Sequence, residues 1–310
     1  MLSLIIPVYL NEASLPSLID VVTNIDTKLQ GELEVIFVVD GSPDHSYDFL
    51  LDKLPNQNFN SQLILLSKNF GSFMAIRTGL SHGKGDTFAV MAADLQEPPS
   101  LIITINETLK LEPIDVVIGV RDSRQDPFFS KFSANIFWHF YRRYIVPEMP
   151  VGGVDIFGCN KAFRDTLLTL EERHSSLIAQ IFWLGFRRKT VNYTRVARAY
   201  GKSAWTMRKK INYLMDSIFS FTDLPIRLLT RIGSVGSILS ICYGASVIFA
   251  RMVGLIDVPG YAMTLFSITL LGSVNLLGLG IIGSYAWRTY ENTKARPLAI
   301  PMKKITFNRS

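Results

Sequence analysis

The first hundred residues alternate between short unbroken apolar runs and longer segments with helical spacing. Leu2–Val8, Glu34–Val39, Gln62–Leu66 and Thr87–Ala93 are of the first kind, and Leu15–Leu29, Tyr47–Leu54 and Gly71–Ser81 of the second. Apolar strands separated by helix-length segments predict a mostly parallel sheet covered on both faces, an α/β fold. Ligands of such sheets bind beyond the carboxyl ends of the strands. Each predicted strand end carries small or polar residues: Tyr9-Leu10-Asn11-Glu12, Asp40-Gly41-Ser42-Pro43-Asp44 and Asp94-Leu95-Gln96. Three ends bearing acids and turn residues predict a single cleft.

The pattern changes near the C-terminus. Ile232–Ala250 is nineteen residues without a formal charge, and Tyr261–Trp287 is twenty-seven with Asn275 as its most polar member. About twenty residues suffice for a helix to cross hydrocarbon. Both runs are expected to span a bilayer; two buried core helices are the alternative, disfavoured because neither run has a polar stripe. Arg251–Gly260, with Pro259-Gly260 as its turn, leaves room only for a tight hairpin. Ahead of the spans, Met207, Ile211, Leu214, Met215, Ile218 and Phe219 fall at helical spacing with Arg208, Lys209 and Lys210 on other faces, a basic amphipathic helix. The aromatic stretch Phe128–Tyr144 either lines a lipid chain's path or packs on the core.

Charge sets the expected orientation. Arg227 and Arg231 precede the first span, and Arg288, Lys294, Arg296, Lys303 and Lys304 follow the second, so positive-inside bias puts the catalytic half and the C-terminus in the cytoplasm. Leu2–Val8 is short and lacks a basic leader, so no signal peptide is expected. Cys159 and Cys242 suggest no disulfide, in keeping with a reducing compartment. The net charge of +6 fits a protein against anionic lipid heads, or the positive-inside excess alone; no nucleic-acid partner is expected. The chain divides into an α/β catalytic domain at 1–205, amphipathic helices at 206–230, two transmembrane helices at 231–290 and a basic tail at 291–310.

Ile6-Pro7-Val8-Tyr9 with Asn11-Glu12, Val39-Asp40-Gly41-Ser42 with Asp44, and Ala93-Asp94-Leu95-Gln96-Glu97-Pro98-Pro99 resemble the nucleotide-sugar half of family 2 glycosyltransferases with the GT-A fold. More narrowly, the chain resembles their polyprenyl-phosphate branch. The similarity extends through Asn69-Phe70-Gly71, Arg121, Arg124-Gln125-Asp126, Gly158, Gly201-Lys202-Ser203, Leu224–Leu228 and Arg288–Pro297, nearly the whole chain. Any one motif is common by chance; the ordered set followed by a membrane hairpin is specific.

The resemblance implies a nucleotide-sugar donor, undecaprenyl phosphate as acceptor and an inverting transfer in one step. Departure of a nucleoside diphosphate is helped by a divalent ion, and oxygen ligands at a strand end suit Mg²⁺ or Mn²⁺. Asp94 is the candidate metal ligand, with Gln96 where many relatives carry a second acid; a metal-independent variant is the alternative. Pro7, Tyr9, Glu12, Asp40 and Asp94 are candidate nucleotide contacts, although Val39 stands where the family has a second Asp beside Asp40. A lipid monophosphate is already largely dianionic at neutral pH, so it needs positive charge more than a base. Arg121, Arg124, Lys202 and Ser203 are candidates to hold it. Asp94, Asp155 and Arg198 are the candidate catalytic set, with Asp155 expected to position substrate. UDP-glucose is the expected donor, with a UDP-amino sugar or GDP-mannose as alternatives. A processive synthase is disfavoured by the absence of a Gln-x-x-Arg-Trp motif, and a non-catalytic scaffold by the acids retained. The expected setting is the bacterial inner membrane, as a dimer or tetramer.

Overall fold

Every residue of β2 (Leu33–Val39) is buried, and β1 (Leu2–Val8) is buried at all positions but Pro7. Alternate side chains of β1 point to opposite faces, so an unbroken apolar strand needs helices on both. The computed structural model provides them. It describes residues 1–121, 139, 141–143, 145–150, 154, 156–196, 207–253 and 260–309. The chain forms two units, Met1–Ile211 with Arg296–Ser310, and Asn212–Ala295.

The first unit is built on an eight-stranded sheet of order β7-β5-β6-β4-β1-β2-β3-β8. Its other strands are β3 (Asn60–Leu66), β4 (Thr87–Val90), β5 (Val116–Arg121), β6 (Ile156–Asn160), β7 (Arg188–Tyr193) and β8 (Pro301–Phe307). All neighbours are parallel except across β6 and β8. One face carries α1 (Leu15–Lys28), α2 (Ser46–Lys53) and α4 (Pro99–Leu111), whose Leu18, Val22, Leu50 and Ile105 join Leu4, Ile6 and Phe37 in one core. The opposite face carries α3 (Ser72–His82), where Ala75 packs on Ile36, Val38 and Ile64. Gly79 of α3 lies so close to β1 that a Cβ would fall 2.4 Å from Ile5 Cγ2. Two further short helices belong to the unit: α5 (Lys161–Leu168), capped by Asn160 Oδ1 accepting from Phe163 N–H (2.9 Å), and α6 (Leu177–Trp183), capped by Ser176.

Strand order reverses at β1, which has β2 on one side and β4 on the other. The pairing explains why a proline is tolerated there. Odd residues of β1 face β4, as Ile5 O accepting from Met91 N–H shows, and even residues face β2, as Val8 O accepting from Asp40 N–H shows. The β1–β4 register stops at Ile5–Val90 while β1–β2 runs on to Val8–Val39. Pro7, which lacks a donor, therefore sits where β4 has already parted from β1. The parting opens the crevice at the carboxyl ends, at a topological switch point.

At the far edge β8 pairs antiparallel with β3, so part of the expected basic tail is a strand of the catalytic sheet. It was hard to foresee because Lys303 and Lys304 interrupt its apolar pattern.

The second unit holds most of α7 (Met207–Phe221), with α8 (Leu224–Met252) and α9 (Tyr261–Thr293). Both long apolar runs are helical, Ile232–Ala250 within α8 and Tyr261–Trp287 within α9. Leu229 of α8 touches α9 at Gly278, where a Cβ would meet its Cδ1 at 3.3 Å. Among the described residues, Leu270–Thr293 is long and apolar enough to cross a membrane, 24 residues with a mean hydropathy of 1.4. At 1.5 Å per residue it reaches about 36 Å, against about 30 Å of hydrocarbon. Leu276, Leu279 and Ile282 are mostly exposed, as are Ile238, Leu239 and Phe249 of α8. Tyr285 and Arg288 of α9 hold α7 through a ring contact with Phe219 (5.0 Å) and an ion pair with Asp216 (2.9 Å).

Candidate active site

Tyr9, Asp40 and Asp94 follow the ends of β1, β2 and β4, which are adjacent strands. In all three places the next residue has a left-handed backbone: Leu10 (φ 54), Gly41 (φ 54) and Leu95 (φ 56). Only Gly41 is spared the strain that an L side chain meets there. Gly41 is required for a second reason, since a Cβ on it would fall 2.3 Å from the backbone carbon of Lys68.

The loops are bonded to one another. Ser42 Oγ accepts from Leu10 N–H (2.8 Å) and donates to Asp44 Oδ1 (2.6 Å). Asp44 also accepts from Ser46 Oγ (2.9 Å) and Glu12 N–H (3.2 Å), and Glu12 Oε2 accepts from His45 N–H (3.0 Å). Burial works against the Asp44 carboxylate, but these bonds outweigh it and hold its pKa below the usual value. Ser14 at the start of α1 donates to Ala93 O (2.8 Å), tying the β1 loop to the end of β4.

Asp40 is almost completely buried. Its Oδ1 accepts from Phe70 N–H (2.7 Å) and its Oδ2 from Gly71 N–H (2.8 Å), at the start of α3. The carboxylate thus satisfies two backbone donors of the turn that leads into α3. Gly71 has φ 96 and nothing within 4 Å of its Cβ position, so it is a turn glycine.

Asp94 is half-buried, and its Oδ1 lies 3.4 Å from Gln96 N–H. Gln96 is buried and joined to the segment after β7: its carbonyl accepts from Val196 N–H (3.0 Å), its Nε2 lies 3.4 Å from Val196 O, and its Oε1 accepts from the Arg195 guanidinium. Oxygen donors from Asp94 and Gln96 suit a hard divalent ion. Among the described residues no group of three His, Cys, Asp or Glu side chains is poised to hold a metal.

Arg121 ends β5 and is half-buried, at the same end of the sheet. Arg124, Asp155, Arg198, Lys202 and Ser203 lie outside the described residues, as does most of Phe128–Tyr144. Arg195 was not singled out from sequence. The signal was present, because the strand-end rule applied to β7 points to Thr194-Arg195, but polar Arg188–Tyr193 does not announce a strand.

The family model for glycosyl transferase family 2 matches residues 3–169, the span that holds β1 to β6 and all three loops. The chain belongs to glycosyl transferase family 2. It is an enzyme of that class, with the GT-A type of sheet expected from its motifs. An uncharacterized glycosyltransferase of Synechocystis sp. is 34% identical, covering 96% of this chain and 93% of that protein. The undecaprenyl-phosphate 4-deoxy-4-formamido-L-arabinose transferase of Aeromonas hydrophila is 32% identical, covering 96% of this chain and 91% of that protein. Among solved structures, glucosyl-3-phosphoglycerate synthase from Mycobacterium tuberculosis, in complex with Mn²⁺, UDP and glucosyl-3-phosphoglycerate, is similar over 65% of this chain and 73% of that one, at 15% identity and a TM-score of 0.44.

Proposed function

We propose that this family 2 glycosyltransferase moves a single hexose from a nucleoside-diphosphate sugar, UDP-glucose first among candidates, to undecaprenyl phosphate at the cytoplasmic face of a bacterial membrane. One observation carries the reading: the undecaprenyl-phosphate relative matches end to end, across the cleft and the long apolar helices alike. A chain that carries both such a cleft and a long apolar helix suits an acceptor whose phosphate lies at the bilayer surface. The same relative favours a second donor class, a nucleotide-linked 4-deoxy-4-formamido-L-arabinose. In this reading α8 and α9 both span, with the basic residues at their outer ends on the cytoplasmic side.

The residues divide the work as follows. Pro7 and Tyr9 shape the crevice floor where the nucleotide lies, and Asp40 and Glu12 fix the loops around it. Asp94, with Gln96, would hold Mg²⁺ or Mn²⁺, which when bound supplies charge neutralisation for the departing diphosphate. Arg121, Arg124, Arg198, Lys202 and Ser203 hold the acceptor phosphate in line with the anomeric carbon. That phosphate is dianionic near pH 7, so its oxygen attacks without a base, and Asp155 orients the sugar or the acceptor.

The test is nucleotide release by the detergent-purified chain, given Mg²⁺ or Mn²⁺, undecaprenyl phosphate and a panel of UDP- and GDP-sugars, beside Asp94→Ala. Release that requires the lipid, selects one donor and vanishes in the variant is expected. Equal release with and without the lipid would overturn the acceptor.

A further inference from the structure

We infer that Arg195 is a positioning residue that exchanges Gln96 for the donor diphosphate when the divalent ion enters, so that ion and nucleotide bind cooperatively through it. The inference rests on the donor site proposed above and concerns a residue that no motif in the chain marks.

Three observations converge on it. The Arg195 guanidinium donates to Gln96 Oε1, the amide oxygen that would ligate the ion beside Asp94. Its Nε is buried and has no hydrogen-bond partner among the described residues. The backbone beside it is fixed, because Val196 N–H donates to Gln96 O at 3.0 Å and Gln96 Nε2 approaches Val196 O at 3.4 Å. Arg195 is therefore held at the β4 loop by main-chain bonds that do not depend on its own side chain.

The amide oxygen cannot serve both cations well. A guanidinium and a divalent ion sharing one oxygen are like charges brought close together in a partly buried place, and they repel. Entry of the ion therefore displaces the guanidinium, whose stem is anchored next to the site. The displaced group carries five donors in a fork that matches phosphate, one of them already lacking a partner. The diphosphate that accompanies the ion is an anion of matching shape. Without nucleotide the arginine opposes the ion, and with nucleotide it holds what the ion brings.

The test uses the full-length chain in detergent and two binding readouts that need no turnover. Mn²⁺ binding without nucleotide is followed by loss of the free-ion electron paramagnetic resonance signal. UDP binding at saturating Mn²⁺ is followed by calorimetry. Arg195→Met keeps the stem and removes the donors; Arg195→Lys keeps the charge without the fork and serves if the first variant fails to fold. Arg195→Met is expected to bind Mn²⁺ alone about tenfold more tightly than wild type and UDP about tenfold more weakly, the effect of losing one charge-assisted hydrogen bond on each side. Arg195→Lys is expected to show the loss for UDP with a smaller gain for Mn²⁺. A drop in Mn²⁺ affinity in Arg195→Met would show that the arginine only props Gln96, and unchanged affinity for both ligands would equally overturn the exchange. Wild type that binds neither Mn²⁺ nor UDP would overturn the donor site itself, a result distinct from the other two.

Discussion

Replacing Asp40 by Asn separates two roles that one carboxylate can play. In the structure both oxygens accept from backbone N–H groups, Phe70 at 2.7 Å and Gly71 at 2.8 Å, and the side chain is 2% exposed. Hydrogen bonds to a charged group contribute about 1.5–3 kcal/mol each, and a buried donor left unsatisfied costs about 1–3 kcal/mol. Asn keeps one acceptor, turns an N–H₂ toward the second donor, and removes the cost of burying a charge. The net loss is about 2 kcal/mol, and Asp40→Ala, which orphans both donors, should lose roughly twice that. For a domain of this size a loss of about 2 kcal/mol lowers Tm by about 4–8 °C. Intrinsic-fluorescence unfolding of the detergent-purified variants at one fixed scan rate measures it, with UDP binding measured separately at 20 °C. Asp40→Asn that unfolds within 1 °C of wild type while losing UDP would refute the reasoning, because the carboxylate would then act on ligand alone.

Gly41→Ala and Gly71→Ala form a matched pair. Both residues have positive φ, and Gly71, at φ 96 and ψ 154, lies in a region that side chains rarely enter, a cost of about 1–3 kcal/mol for alanine; Gly41 adds backbone within 3 Å of its Cβ position, so Gly41→Ala should lose more stability than Gly71→Ala in the same assay. Leu95→Gly should relieve about 1 kcal/mol of left-handed strain and yet lower turnover, because Asp94 and Gln96 flank the loosened position; higher turnover would count against it. Burial raises the pKa of Asp26 against the opposing pull of Arg309. A carboxyl with a raised folded pKa favours folding below its unfolded value near 4, and that contribution is lost as pH rises through the folded value. Asp26→Asn should therefore raise Tm at pH 7 with a gain that shrinks toward pH 4, and an equal gain at both pH values would sink the argument.

How much the sequence revealed depended on burial. Strands β1 to β4 lie near the centre of the sheet with helices covering it, so most positions are apolar, apart from bonded polar residues near the strand starts such as Ser3, Glu34 and Gln62, and the apolar runs named them. Edge strands escape that constraint. Arg188–Tyr193 is mostly polar because β7 is an edge strand among the described residues, and Pro301–Phe307 is a lysine-bearing edge strand that composition alone assigns to a tail. The same limit hid Arg195. Gly158 permits a close approach to α4, since a Cβ would fall 2.2 Å from Ile105 Cγ2. From sequence a glycine says that something comes near and not what.

The strained positions explain why the loops bind one another so densely. Leu10 and Leu95 each hold a backbone conformation worth about 1–2 kcal/mol less than its right-handed alternative. A loop tethered only by its strand would relax. Here Leu10 N–H is held by Ser42, whose hydroxyl is held by Asp44, and Gln96 next to Leu95 is held by Val196 and Arg195. The β1 and β2 loops thus fix each other, and the β4 loop is fixed from β7, three strands away in the sheet. Tyr9, Asp40 and Asp94 consequently keep their places before any ligand arrives, which lowers the ordering cost of binding a flexible sugar nucleotide. Rigidity obtained through side chains is also breakable through side chains. The sharpest losses of function should come from Ser42 and Asp44, which hold the β1 and β2 loops in place, as well as from the acids at the strand ends.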